Sequence, residues 1–488
     1  MAFDQASNLD YQLSPATKIG SGPIPIDATS TSELFYEYLT NTAAGIETVN
    51  GINSPGNYND KDVMFDLRIP AASRINFAKS YVRFEGMGVN MVAPTPPEPQ
   101  TTTTTKVRAG PMPGLDPYSL LNNTVSIPWN TIAALLSTAN YQLNQNSGLI
   151  EDISQNLGDG SMVKLLTTYS KDALEAAEDE FFTPCIETIR DMAAALSTQS
   201  ISRSQNHFYS NDQIQKVAKN VPLCDIFESL KAPALWYSQN LQMKFHIKAS
   251  NDILFKTSGS TIAYPRFYVT DVRLYLCLNN ITENQMAVDS KAIASVAPIF
   301  REAYWVYDAL QKTHSPGASY RDSNVKNMQA AVFMIPSSLA ADGLGVNRYQ
   351  YVYGKTNSTS GITSYQMRYE NIYSPAQPIR MDNFQYMINT QLYNMYRTIC
   401  MKGSDRDIPP AIPFRSCMGH FTHLAEDENN YVLFCSNFYS LTSYAHKVMA
   451  GADHEIITSG GTVEPIVIVR IRLAFLELRG DTSVYTYN

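Results

Sequence analysis

The side chains with the clearest capacity for chemistry are His420 and His423, with Glu426 close behind. Two imidazoles and a carboxylate could hold zinc or iron inside a β-barrel. On a strand, however, a spacing of three sends the two histidines to opposite faces, so one interior could not use both. Asp453-His454-Glu455 is the other candidate, and none of the seven histidines forms a His-x-His pair. Ordinary surface or core histidines account for both groups better than a metal does. Carboxylates pair at Asp172/Glu175 and Glu178/Glu180, where the apolar spacing predicts helices. Solvated helix faces explain them more simply than glycoside hydrolysis, which needs carboxylates placed across a cleft. Tyr349, Tyr351 and Tyr353 alternate and could form a sugar or base platform, but cross-strand packing or an intersubunit seam fits the alternation better. There is no GxxxxGK[ST] phosphate loop, no GxSxG elbow and no HExxH helix, and Gly343-Leu-Gly345 lacks the rest of a dinucleotide fingerprint. The sequence thus points to no catalytic, cofactor-binding or metal-ligating residue, and to no cofactor.

What could position any of these groups is set by size and composition. A chain of 488 residues exceeds one ordinary core, so two or three domains are expected. Hydrophobic residues make up 44% and charged residues only 17%, and there are 30 tyrosines, a composition suited to strands and to protein–protein surfaces. The net charge is −8, and residues 1–62 hold eight acids against the two bases Lys18 and Lys61. A terminus that gripped nucleic acid would need clustered Lys and Arg to displace counterions. This one is acidic, which argues against genome or anionic-membrane binding there. The six cysteines are scattered without a CxxC pair, the pattern of reduced, buried thiols. No basic-then-apolar leader opens the chain, and Ile466–Leu478, the most apolar run, is broken by Arg470 and Arg472. It reads as a strand, and secretion by a signal peptide is not expected.

Along the chain, residues 1–61 are rich in Ser, Thr, Gly, Asn and Pro and read as an extended arm, with room for one short helix at Ser32–Leu39. Asp62–Gly88 reads with a period of two as a pair of strands bent at Ile69-Pro70. That period sets Phe77, Lys79, Tyr81 and Arg83 on one face and Ala78, Ser80, Val82 and Phe84 on the other. Pro94–Thr105, continuing to Pro117, cannot join a ladder and reads as an exposed loop. Strand texture returns at 125–147. Helical spacing follows, first through Met162, Leu165, Leu166, Tyr169 and Leu174 and then from Phe181 to Leu196. Leu241–Ala249 alternates cleanly, and Phe267–Leu278 has the texture of a long strand. A second block runs from Tyr304 through Ala330–Ser338 to a closing strand at 465–478. Two short echoes link the blocks, Phe65–Ser73 with Ala330–Ser338 and Val272-Arg-Leu274 with Ile471-Arg-Leu473, but their offsets disagree.

Three words in this order resemble the double jelly-roll major capsid proteins of tailless icosahedral DNA viruses, the virophage and Polinton-like branch more than adenovirus hexon. They are Val63–Pro70 with Phe77–Glu85, Ser374–Asp382 with Gln391–Arg397, and Gly461–Phe475. Pro222–Phe227 followed by Leu241–Ala249 fits as well, and the likeness spans residues 60–488. The Pro94–Thr105 run and the acidic arm depart from it. The resemblance implies a mainly β fold of two consecutive eight-stranded antiparallel jelly rolls with helical excursions. The arm would be 1–61, the first jelly roll 62–290 with an exposed loop at 92–118 and helices within 149–200, and the second 291–488. It implies a non-enzymatic shell protein of the virion that forms homotrimers of pseudo-hexagonal outline. Its partners would be further copies of itself and minor capsid or penton proteins, with no base-specific nucleic-acid binding and an internal membrane left open. A carbohydrate- or receptor-binding β-sandwich of a spike or lectin is the alternative.

Overall fold

Runs in which β-branched and aromatic residues alternate with polar ones can bury one face and wet the other, and such runs supply most of the elements. The computed structural model describes residues 32–46, 48–49, 52–53, 56–70, 73–89, 125–126, 131–143, 149–154, 156–168, 214–231, 240–253, 255–256, 266–280, 299–314, 319–325, 328–334, 362–369, 372–380, 434–437, 452–460, 464–479 and 484–487. In the first half these form β1 (Ser32–Leu39), β2 (Thr48–Val49), β3 (Ile52–Asn53), β4 (Asp62–Arg68), β5 (Ser73–Val89) and β6 (Val125–Ser126). The short helix α1 (Thr131–Leu135), β7 (Leu136–Leu143), β8 (Glu151–Ile153), helix α2 (Leu157–Thr168) and β9 (Ile214–Pro222) follow. Next come α3 (Leu223–Ile226), a 3-10 turn (Glu228–Lys231), β10 (Asn240–Ile247), β11 (Phe255–Lys256) and β12 (Arg266–Asn280). The second half holds β13 (Ile299–His314), β14 (Ser319–Val325), β15 (Met328–Met334), β16 (Ile362–Tyr369) and β17 (Ile372–Arg380). It ends with β18 (Phe434–Asn437), β19 (Ala452–Gly460), β20 (Glu464–Arg479) and β21 (Val484–Tyr487).

The pairing of these strands repeats. The first half has one sheet in the order β1-β12-β5-β9 and another in the order β4-β10-β7-β8. The second half has β13-β20-β15-β18, with β21 added to β20, and β14-β19-β16-β17. Setting aside the two-residue strands and β21, each half contributes eight strands. Counted along the chain, both halves give the orders 1-8-3-6 and 2-7-4-5, antiparallel throughout. That is jelly-roll order, in which the last strand returns beside the first and the two sheets face each other. Among the described residues no strand of one half pairs with a strand of the other.

Alternation explains the core between the first two sheets. On β4, Val63, Phe65 and Leu67 are buried while Asp62, Asp66 and Arg68 face water, and β10 does the same with Leu241, Met243, Phe245 and Ile247. The rings of Phe65 and Phe245 meet edge-on at 6.2 Å, and Phe227 packs on Phe245 and Tyr141 at 6.0 and 4.8 Å. The Ile69-Pro70 step turns β4 into β5, with Ile69 buried and Pro70 exposed.

Several sequence expectations are corrected. Ser32–Leu39 is a strand, not a helix, because all eight residues pair with Asn280–Arg273 of β12. The extended arm therefore does not reach residue 61. Asn57, Tyr58 and Asn59 are buried, and the Asn59 side chain accepts from Val269 N and donates to Lys248 O, each at 2.9 Å. Thr40 and Thr42 hydroxyls likewise donate to Met64 O and Asp62 O at 2.8 Å. On β5 the single-face assignment fails, because Phe77 points inward with Ser80, Val82 and Phe84 while Ala78 and Lys79 are both exposed. A bulge is the cause, since Asn76 pairs with Cys277 but Tyr81 with Tyr275. The Ser80 hydroxyl stitches it, accepting from Cys277 N at 3.0 Å and donating to Asn76 O at 2.8 Å. Within 125–147, expected to be strand, Thr131–Leu135 is helical and buries Ile132, Ala134 and Leu135. Helix α2 carries Met162, Leu165 and Leu166. Tyr169, Leu174 and the helix expected from Phe181 to Leu196 lie outside the described residues, as does the loop 92–118.

Of the two echoes, one is topological. Val272-Arg-Leu274 and Ile471-Arg-Leu473 both lie on the eighth strand of their half. The Ile-Pro steps do not correspond, since Ile69-Pro70 joins the second strand to the third and Ile335-Pro336 follows the third.

Candidate interface site at the seam between the halves

The most built-up polar site in the described structure lies where the halves meet. Helix α2 packs against β13 and β20, and the 3-10 turn packs against β13. Asn156, with a left-handed φ of 51°, precedes α2, and its side-chain amide donates to Ala309 O of β13 at 3.1 Å. Asn tolerates that backbone conformation better than most residues. Gly160 lets the helix approach the strand, because a Cβ there would stand 2.5 Å from Tyr307 O.

Beneath this contact the first half carries a buried polar network. Lys164 of α2 is almost fully buried and forms an ion pair with Glu228. Its ammonium also donates to Asp225 O at 2.6 Å and Cys224 O at 3.3 Å, so all three of its protons can find oxygens. Glu151 on β8 caps the 3-10 turn, accepting from Glu228 N at 3.1 Å, Ser229 N at 3.0 Å and the Ser229 hydroxyl at 2.5 Å. Ser229 Oγ lies 2.5 Å from Tyr141 Oη on β7. Loss of water pushes the Glu151 carboxyl up to about 7, with the Glu228 charge acting the same way. The hydrogen bonds it accepts pull downward without prevailing.

The second half presents Asp308 of β13, which pairs with Arg472 and, at 3.7 Å, with Arg470 of β20. These arginines, Glu151, Lys164 and Glu228 line a cleft of about 330 Å³ between the halves. Its opposed charges are already matched across short distances, so the arrangement is suited to holding two bodies in register. The first half has a related ion-pair group, Arg273 of β12 with Glu37 of β1 and with Asp271, each at 2.5 Å.

Of the residues weighed from sequence, Asp453–Glu455 lies on β19, where Glu455 forms an ion pair with Arg368 of β16. His420, His423, Glu426, Asp172, Glu175, Glu178, Glu180, Tyr349, Tyr351, Tyr353 and Gly343-Leu-Gly345 lie outside the described residues. Among the described residues no three His, Cys, Asp or Glu side chains cluster as metal ligands, and no helix is long and apolar enough to cross a membrane. The seam network was missed. Its one signal was Lys164 amid the apolar run Met162-Val-Lys-Leu-Leu166, since a lysine there must be buried with partners.

The fold is shared with solved viral proteins. This chain is similar to a chain in the cryo-electron microscopy structure of the Sputnik virophage, at 11% identity and a TM-score of 0.53, over 94% of this chain and 88% of that one. It is also similar to the major capsid protein of mavirus, at 10% identity and a TM-score of 0.50, over 95% of this chain and 90% of that one. At such identities the likeness is one of fold. No family model matches the sequence, and no curated protein matches it.

Proposed function

We propose that this chain is a major capsid protein, the shell-building subunit of the virion of an icosahedral DNA virus. The observation that carries the reading is the repeated strand order, 1-8-3-6 with 2-7-4-5 in each half, on a chain whose fold matches the mavirus major capsid protein over nearly its whole length. In this reading the halves are two jelly-roll barrels, the first ending by about residue 290 and the second filling 291–488. Two similar barrels side by side give one subunit a pseudo-twofold outline, so a homotrimer approximates a hexagon and can tile an icosahedral face. Loop 92–118 is assigned to the outer surface, and the arm, shortened to residues 1–31, to contacts with neighbouring capsomers or minor capsid proteins. The chain's part is structural rather than enzymatic.

Light scattering on the purified full chain tests this. The expected species is a trimer, alone or assembled into larger shells seen by electron microscopy. A stable monomer with sugar affinity would overturn the reading in favour of a carbohydrate-binding β-sandwich.

A further inference from the structure

The turn that meets the second half is held by a carboxyl group with no cation of its own. The 3-10 turn packs on β13 beside α2, and Glu151 grips that turn at two backbone amides and at the Ser229 hydroxyl. Glu151 is only 8% exposed. Lys164 on α2 is taken by Glu228 and by the Cys224 and Asp225 carbonyls, and Arg470 and Arg472 answer Asp308 on the far wall. Among the described residues no cation pairs with Glu151.

The surroundings make ionisation of this group costly without forbidding it. The first-half wall of the cleft brings Asp152 on the same strand, Glu228 on the turn and Asp225 on α3, against the single ammonium of Lys164. Across the cleft β13 brings Tyr307 and Asp308, and β20 brings the two arginines. Burial and the Glu228 charge push the Glu151 carboxyl up to about 7. The hydroxyls beside it suit both of its states. When Glu151 is ionised, Ser229 Oγ donates to it and Tyr141 Oη of β7 donates to Ser229 Oγ. When it is protonated both donations can reverse, because a hydroxyl gives or receives. The cleft alongside can supply the water that the ionised form lacks.

We propose that Glu151 is a proton-operated latch on the seam between the halves: protonated, it keeps the 3-10 turn seated on β13, and ionised, it draws water from the cleft and lets the turn and α2 part from the second half. Its folded-state value lies above the unfolded one, so the hold is complete below about pH 4.5 and is lost as pH rises through about 7. The latch acts within one chain, goes beyond the shell-building reading and stands or falls apart from it. In a shell it would make the stiffness of each subunit depend on the pH around it.

Native-state hydrogen exchange on the purified full chain, at pH 6 and pH 8 and in low urea, tests the latch. After correction for the faster chemical exchange at high pH, amides of α2, the 3-10 turn and β13 should open about 10-fold more often at pH 8. That opening should depend little on urea, the mark of a local event, whereas amides of β10 and β12 should keep the steep dependence of global unfolding. Glu151→Gln should abolish the pH effect at the seam. Seam amides with the urea dependence of β10, no change with pH, or the same change in the variant would each overturn the proposal. Infrared difference spectroscopy on wild type needs no variant to fold. It should show a carboxylic acid carbonyl lost between pH 6 and pH 8, and its absence would also overturn the latch.

Discussion

Glu151 is a nearly buried carboxyl group that holds the 3-10 turn through Glu228 N and Ser229 N. Its pKa rises from 4.5 to about 7, so between those values the folded chain binds more protons than the unfolded one. Stability from this group is therefore fully present below about pH 4.5 and is lost as pH climbs through about 7, by roughly 3 kcal/mol for a shift of this size. Glu151→Gln keeps an acceptor for the turn but cannot ionise. Urea unfolding at pH 5 and pH 8 should show wild type losing stability between them and the variant losing less. Equal losses in both would mean that some other group sets the dependence. At the same scale, Ser80 shows how one hydroxyl redirects a strand, because it fills the gap that a bulge opens in the ladder to β12.

At the scale of elements, the stretch before residue 62 divides. β1 covers the edge of β12, and Asn57–Asn59 tie both sheets of the first half through Val269 and Lys248. Removing these leaves β12 with an unpaired edge and several buried backbone groups without partners, each costing about 1–3 kcal/mol. Deleting residues 1–61 should therefore abolish the cooperative unfolding transition of the first half, whereas deleting 1–31 should preserve it. Calorimetry of the two truncations distinguishes them, and a well-folded 62–488 chain would show that β1 is dispensable. The distinction was hard to read from sequence because Ser32-Glu-Leu-Phe-Tyr-Glu-Tyr-Leu39 has apolar residues at both helical and strand spacings. Only the partner strand β12, more than two hundred residues away, decides between them.

Across the whole molecule, two halves of like topology meet at α2, and Gly160 sets how closely. Gly160→Val would thrust a side chain into the Tyr307 carbonyl, and overpacking of this kind costs about 1–3 kcal/mol. Because the insult falls between the halves, the expected result is a lower first melting transition and a split into two, one for each half. A single unshifted transition would mean that α2 is not a coupling element. The same seam gives the charged cleft its meaning, since Asp308, Arg470 and Arg472 come from the second half while Glu151, Lys164 and Glu228 come from the first.

The sequence by itself determined what local periodicity can carry. Alternation on Asp62–Arg68 and Asn240–Ile247 specified strands with one buried face, and the order of such runs specified two similar blocks. The Val-Arg-Leu and Ile-Arg-Leu words were only a short echo in the sequence, and the strand order is what places both on the eighth strand of their half. Tertiary structure alone decided the rest. A bulge shifts the faces of β5 because it depends on where β12 lies, not on the residues of β5. The Glu151–Ser229–Tyr141 and Lys164–Glu228 links join residues 60 to 90 positions apart that belong to no motif. Burial gives those ordinary side chains their roles, and burial is a property of the assembled sheets.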